Sequence, residues 1–334
     1  MSRAEIILSG FADEGPVSKR AEEQLTMMRA LGLSYYTIRF VDVGQGLKNV
    51  MELSDEEIGR LNELHNDYEM KVSCIGSPIG KVKLLDQDDG TQNRYVPFDE
   101  YLDNDVQRAI NLAKAFDTKL LRGFSYYHPN GTDPWPHLDQ AAEQLKKIVE
   151  RCAGEGIIYG LEVESHLIGG DGDTLAALHE KIGSEYCYII EDVGNMEGQG
   201  HSPDSAYEHY VKMKPGLGWI HIKGFNTPEN KPMIEAAKAR GLTRFIPVDR
   251  GDAGHEMVLR DFRTLVPDLD KKFKRLGVPG VFVDLEPHVK GGGQFGGFSG
   301  IDGFGVAFRA LCKLLDYLDY DYHLTGYEDL RREE

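Results

Sequence analysis

Short apolar runs rich in β-branched and aromatic residues recur along the chain, alternating with longer stretches of helical periodicity. The runs that read as strands in the first half are Glu5–Gly10 (EIILSG), Ser34–Phe40 (SYYTIRF), Lys71–Gly76 (KVSCIG) and Lys119–Gly123 (KLLRG). The second half adds Ile157–Glu162, Tyr186–Glu191, Gly218–Ile222 and Gly280–Leu285. Between them, amphipathic patterns predict helices over Val17–Leu31, Glu56–Tyr68, Tyr101–Phe116, His137–Ala153 and Asp302–Leu318. Ser54, three residues before Glu57, forms a capping-box pattern that opens the second of these. Gly32, Gly156 and Gly277 stand where helices should stop, at the left-handed position after the last turn.

Strand and helix alternating eight times favour a parallel sheet closed on itself over an open, doubly wound one. The expected fold is therefore α/β, a (β/α)8 TIM barrel. It reads as one domain over residues 1–334, with extended loops at the C-terminal face near Lys81–Pro97, Thr227–His255 and Pro287–Gly300. Barrels of this kind run to ~250 residues and beyond without dividing. A dinucleotide-binding sheet would want GxGxxG after its first strand, and SGFADEG does not supply it.

Charge narrows the partners. With 38 basic against 55 acidic side chains the net charge is −17, which opposes binding to nucleic acid or an anionic membrane. The four cysteines (Cys74, Cys152, Cys187, Cys312) show no CxxC pairing and read as reduced thiols. No signal-peptide pattern opens the sequence, and no apolar run approaches the roughly 18 residues of a membrane span. A cytoplasmic protein is expected.

In a barrel, reacting groups stand at the C-terminal ends of the strands, and here those ends are polar. Asp13 and Glu14 follow the first, Arg39 ends the second, and Ser77 and Lys81 follow the third. Arg122 lies in the fourth and Glu162 and Glu164 end the fifth. Asp192 and Asn195 come next, then His221 and Lys223, then Glu286 and His288. A set of solvated strand-end charges is the bland alternative. Against it, Glu162, Asp192, His221 and Glu286 come from four successive strands, each in an apolar context. Three carboxylates and one imidazole suit one divalent metal ion, Mn²⁺, Mg²⁺, Co²⁺ or Zn²⁺, and affinity order alone does not choose among them.

Glu162 lies nearer the sheet than Glu164 on the same face of LEVESH, which makes Glu162 the ligand and Glu164 a substrate or outer group. Arg122 needs a carboxylate or a ligand as partner, because an unpaired guanidinium is costly beside an apolar strand. Lys223 shares the inward face of His221 and is a substrate candidate, as are Asn195, His255 and His288, the two histidines on Gly-flanked loops. The loop YYHPNGTDPWPH, with His128 and His137, can wall a sugar pocket. The Gly-rich stretch 291–300 reads as a lid or a partner contact and lacks a nucleotide-loop ending.

The stretches FADEG, IGSPIGK, LEVESH, EDVGNM, WIHIKGF and FVDLEPH resemble the xylose-isomerase-like sugar phosphate isomerase/epimerase family, from about residue 5 to about residue 318. The resemblance implies a metal held by the same four residues, with Glu162 and Glu286 as catalytic groups exchanging protons with opposite faces of the substrate. Ketose 3-epimerases of the family carry a substrate-contacting histidine where this chain has Asn195, and GFNTPENK offers no match for their arginine after the metal histidine. The implied activity is that of a metal-dependent isomerase or epimerase on a sugar or sugar-like substrate, with proton transfer through a metal-stabilised enediolate. The alternative is a metal-dependent lyase or dehydratase, or a glycoside-cleaving subunit, acting on a keto-sugar or cyclitol. A DNA repair endonuclease on this barrel would need several zinc ions, for which the first three strands supply too few ligands. A small-molecule carbohydrate is the expected partner. By analogy the chain would form a homodimer or homotetramer, with room for a second subunit.

Overall fold

Eight strands hydrogen-bond side by side in one sheet of a computed structural model that describes residues 4–225, 245–289, 300–326 and 329. They are β1 (Ile7–Gly10), β2 (Tyr35–Ile38), β3 (Lys71–Ile75), β4 (Leu120–Gly123), β5 (Ile158–Glu162), β6 (Cys187–Asp192), β7 (Leu217–Ile222) and β8 (Phe282–Leu285). Every pairing in the sheet is parallel, and the order runs β1-β8-β7-β6-β5-β4-β3-β2. A single parallel bridge, Phe11 to Thr37, spans the seam between β1 and β2. The architecture is a (β/α)8 barrel, as the alternation predicts.

Helices α1 (Ala21–Ala30), α2 (Asp55–Asp67), α3 (Gln107–Ala115) and α4 (Leu138–Gly154) follow the first four strands. After β5 and β6 come α5 (Gly172–Ile182), α6 (Val193–Gly198) and α7 (Pro203–Met213). Then α8 (His255–Phe262) and α9 (Val266–Arg275) precede β8, and α10 (Gly300–Tyr317) follows it. Ser54 and Glu57 cap α2 reciprocally, Glu57 N–H donating to Ser54 Oγ at 3.2 Å and Ser54 N–H to Glu57 Oε2 at 2.8 Å. Gly32, Gly156 and Gly277 take φ of 81°, 67° and 84°, the left-handed values that let each helix stop.

Three boundaries differ from the sequence reading. The run Glu5–Gly10 splits, because Ala4–Glu5 pairs with Tyr320–Asp321 while Ile7 onward joins the barrel. Helix α1 starts at Ala21, after a turn in which Lys19 (φ 56°) sends its ammonium to the Asp13 carbonyl. Before α3, residues Leu102–Val106 widen into a π-helical turn. A short antiparallel ribbon, Phe40–Asp42 with Leu47–Asn49, had no signal in the sequence.

Inside the barrel Trp219 is wholly buried, and a Cβ added at Gly160 would come 2.2 Å from its ring. Glycine on β5 is thus what admits indole from β7. Towards β1 the interior is polar: Ser73 Oγ lies 2.7 Å from Ser9 Oγ and 3.1 Å from Thr37 Oγ1. Cys74, Cys152 and Cys187 are buried, Cys312 partly so, and all four are free thiols. Most of the expected loop Thr227–His255 and the Gly-rich residues 291–299 lie outside the described residues. Among the described residues no helix is long and apolar enough to cross a membrane.

Candidate functional site

The parallel register brings four strand ends together. His221 on β7 pairs with Asp192 on β6 and Asp284 on β8, and Glu162 on β5 pairs with Ile190 on β6. Side chains alternate along a strand, so Glu162, Asp192, His221 and Glu286 fall on one face, close to the strand ends. One ligand atom from each lies within 4.8 Å of all the others, and all four residues are buried. His221 Nδ1 stands 3.3 Å from Glu162 Oε1 and 4.0 Å from Glu286 Oε2. Glu164, two residues on, is half-buried and turns instead to Lys81 at 3.0 Å.

Each carboxylate of the cluster has its own buried cation. Arg122 Nη1 reaches Glu162 Oε2 at 3.2 Å, Arg39 Nη1 reaches Glu286 Oε1 at 2.5 Å, and Lys223 Nζ reaches Asp192 Oδ2 at 2.9 Å. The same ammonium lies 3.1 Å from Glu286 Oε2 and donates to Asn195 Oδ1 at 3.0 Å. Burial would raise the Glu162 carboxyl, but the charges of His221 and Arg122 outweigh it and hold the group at about 2. At Glu286 burial is again overcome, by Lys223 and Arg39, and the carboxyl stays well below its ordinary value. Asp192 is pushed up to about 6 by burial, with Glu162 and Glu286 crowding it against the pull of Lys223.

The donor set fits a divalent ion. Both ring nitrogens of His221 are buried and make no hydrogen bond, an expensive condition for an imidazole that has no ligand to bind. Nδ1 faces the carboxylates, while Nε2 faces Asp284 Oδ2 at 3.9 Å, the carboxylate-behind-histidine arrangement of metal centres. Phe11 packs edge-on against the His221 ring, with centroids 5.1 Å apart, and closes the floor.

A second ring of charge surrounds this one. Arg39 also contacts Asp13 Oδ2 at 3.1 Å and Glu14 Oε1 at 2.9 Å, and its guanidinium lies over Phe11. Glu14 in turn holds His288 twice, at the backbone N–H (2.7 Å) and at Nδ1 (2.5 Å). His288 Nε2 is left 3.8 Å from Glu286 Oε1, and its backbone takes φ 48°, a strained value for a non-glycine residue.

Of the residues singled out in the sequence, Arg122, Asn195, Lys223 and His288 join the cluster, and Glu164 lies at its rim. Asn195 is fully engaged, its amide donating to Glu162 Oε1 and the Val163 carbonyl while its oxygen accepts from Lys223. His255 is not brought in. It starts α8, buried, with Nε2 unbonded, and burial alone lowers it to about 4, with no charged group of the cluster acting on it. Asp13, Glu14 and Arg39 are given no role by the sequence beyond polar strand ends, and Asp284 is not singled out there at all. Asp284 carried a readable signal, since it precedes Glu286 by two and so shares its face.

The sequence profile for the xylose isomerase-like TIM barrel matches residues 25–296. No curated protein sequence matches the chain. Among solved structures, a xylose isomerase-like TIM barrel protein from Mycobacterium smegmatis in complex with magnesium is similar at TM-score 0.63 and 18% identity, covering 96% of this chain and 99% of that one. A D-tagatose 3-epimerase-like protein gives 0.61 at 16% identity, over 94% and 98%. The probable 3-DHS dehydratase AsbF of petrobactin synthesis from Bacillus anthracis gives 0.63 at 15%, over 92% and 99%.

Proposed function

This chain belongs to the xylose isomerase-like TIM barrel family, and on that premise we propose that it is a divalent-metal-dependent isomerase or epimerase acting on a sugar or sugar-like substrate. One observation carries the reading: the buried convergence of Glu162, Asp192, His221 and Glu286, with neither nitrogen of His221 in a hydrogen bond. The reading is supported by solved relatives of the same fold that include a magnesium complex, an epimerase-like protein and a probable dehydratase. Glu162, Asp192, His221 and Glu286 would hold the ion. When bound, it would polarise the substrate carbonyl and spread the negative charge that forms when the neighbouring carbon loses its proton, an effect worth several kcal/mol.

The chain's own groups then divide the remaining work. Glu162 and Glu286 are ionised at neutral pH and clamped by Arg122 and Arg39, so each carboxylate is presented in one fixed position. One takes the proton; the other, once it has picked up a proton from solvent, delivers that proton to the opposite face, whereas for transfer to the adjacent carbon the first carboxyl can hand back the proton it took. Lys223 places an ammonium beside both Asp192 and Glu286, where it opposes negative charge developing on a substrate oxygen.

A lyase or dehydratase is the second reading, favoured by Asn195. Its amide is consumed by Glu162, Val163 and Lys223, so it offers a substrate hydroxyl no free donor. The test is metal analysis of the purified protein, followed by incubation with ketoses and keto-sugar acids in D₂O. One bound ion and deuterium entering beside the carbonyl are expected, with Glu162→Gln and Glu286→Gln each abolishing the exchange. Unchanged exchange in both variants would overturn the assignment. Loss of water from the substrate would select the second reading.

A further inference from the structure

The loops after β3, β4 and β5 border an open cavity of about 390 Å³, lined by Asp89, Asn93, Tyr127, His128, Asn130 and His166 among others. That volume falls in the range of roughly 300–1,000 Å³ common to small-molecule sites. The chain links it to the metal cluster through Glu164, which lies two residues beyond Glu162 and two before His166 of the lining, and pairs with Lys81. Tyr127, on the cavity wall, is close enough to Lys81 and Glu164 for both charges to act on its hydroxyl.

The walls are built from cross-ties. Asp89 ties the loop after β3 to that after β4, accepting from Lys83 Nζ at 2.6 Å, Thr91 Oγ1 at 2.7 Å and Asn130 N–H at 3.3 Å. Tyr127 bridges Lys83 on one side and Leu167, in the loop after β5, on the other. Next to these bridge partners Tyr126 and His166 hold φ of 70° and 64°. Left-handed backbone at a tyrosine and a histidine is strained and persists only where the surroundings enforce it. The chamber is therefore held in shape by its ties.

Its chemistry is polar and close to neutral. The carboxylate of the lining, Asp89, is paired with Lys83 at 2.6 Å. What faces a ligand are two amides, a phenol and two imidazoles, of which His128 has Nδ1 committed to the Pro129 carbonyl and Thr132. Such a surface matches the alternating donors and acceptors of hydroxyl groups and offers nothing to balance a phosphate or carboxylate.

We propose that this chamber is a subsite for a second, neutral sugar ring, so that the substrate is a glycoside or disaccharide whose other ring meets the metal cluster. The proposal rests on the reading of that cluster as a sugar-processing site. Saturation-transfer NMR and calorimetry with the whole metal-loaded protein test it, using glucose, fructose, maltose, cellobiose, gentiobiose and glucose 6-phosphate as probes. At least one disaccharide is expected to bind about tenfold more tightly than its constituent monosaccharide. Asn93→Ala combined with Asn130→Ala should erase that advantage while leaving monosaccharide binding and the melting temperature unchanged. Equal binding of mono- and disaccharides, or an advantage that survives the double substitution, would overturn the proposal. So would a preference for glucose 6-phosphate that the same substitution removes. Metal content is measured on the same samples: a protein without a bound ion defeats the metal reading, whereas the disaccharide comparison decides the chamber alone.

Discussion

Lys223 sets its ammonium 2.9 Å from Asp192 Oδ2, on a carboxylate that a bound ion would share. The lysine and the ion therefore compete for the same negative charge. Lys223→Met should raise the affinity for Mn²⁺ about tenfold in competition with a fluorescent chelator. It should also lower the melting temperature of chelator-treated protein, since buried carboxylates would lose their counter-charge. Weaker metal binding in this variant would show that Lys223 supports the ion.

Behind the imidazole, Asp284 faces His221 Nε2 and is steadied by a hydrogen bond of 3.3 Å from Thr37 Oγ1. Removing such a partner typically lowers metal affinity by about 10–100-fold. Asp284→Ala is expected to fall in that range by calorimetry, and Asp284→Asn to recover part of the loss. Affinity equal to the parent in Asp284→Ala would assign the aspartate to the barrel interior alone.

Gly160 makes a purely steric prediction, since its φ is not in the left-handed region. A methyl there would meet the rigid Trp219 ring at 2.2 Å and the Ile190 side chain at 2.8 Å. Overpacking of this kind costs about 1–3 kcal/mol. Urea denaturation of Gly160→Ala should register that loss, and Gly160→Ala combined with Trp219→Phe should recover much of it.

At the opposite end of the barrel from the site, His65 is 8% exposed and shares a hydrogen bond of 2.8 Å with the Tyr36 hydroxyl. Burial lowers it to about 4, whereas an unfolded histidine titrates near 6.5. Between those values the unfolded chain binds the extra proton. The contribution of His65 is thus full above about pH 6.5 and shrinks as pH falls towards 4, by up to about 3 kcal/mol. Chemical denaturation at pH 7.5 and 4.5 should give a larger drop for the parent than for His65→Gln. Equal drops would place the acid sensitivity elsewhere.

The barrel was legible because its strands are continuous apolar runs, and position along the strand told which of Glu162 and Glu164, on one shared face, lies nearer the sheet. The helix stops at Gly32, Gly156 and Gly277 were legible for a local reason, the left-handed backbone each requires. What stayed hidden depends on distant parts of the chain meeting. Arg39 was visible as a charge ending a strand, but its grip on Glu286 exists only because β8 closes against β1. The clamp of Glu14 on His288 has the same origin, joining residues 274 positions apart. His255 misled because a glycine-flanked histidine looks like a loop residue, whereas here it opens a helix and packs inward.

The seam described above has a consequence for how the molecule is made. β1 has its ladder with β8 and one bridge at the seam with β2, so the first barrel strand lacks its ladder partner until Phe282–Leu285 emerges. Asp13 and Glu14 travel with it, and the cation Arg39 is left without Glu286 for the same interval. Assembly of the buried charge cluster then waits for β8, and a truncated product lacking that strand carries an exposed strand edge ready to pair with another molecule.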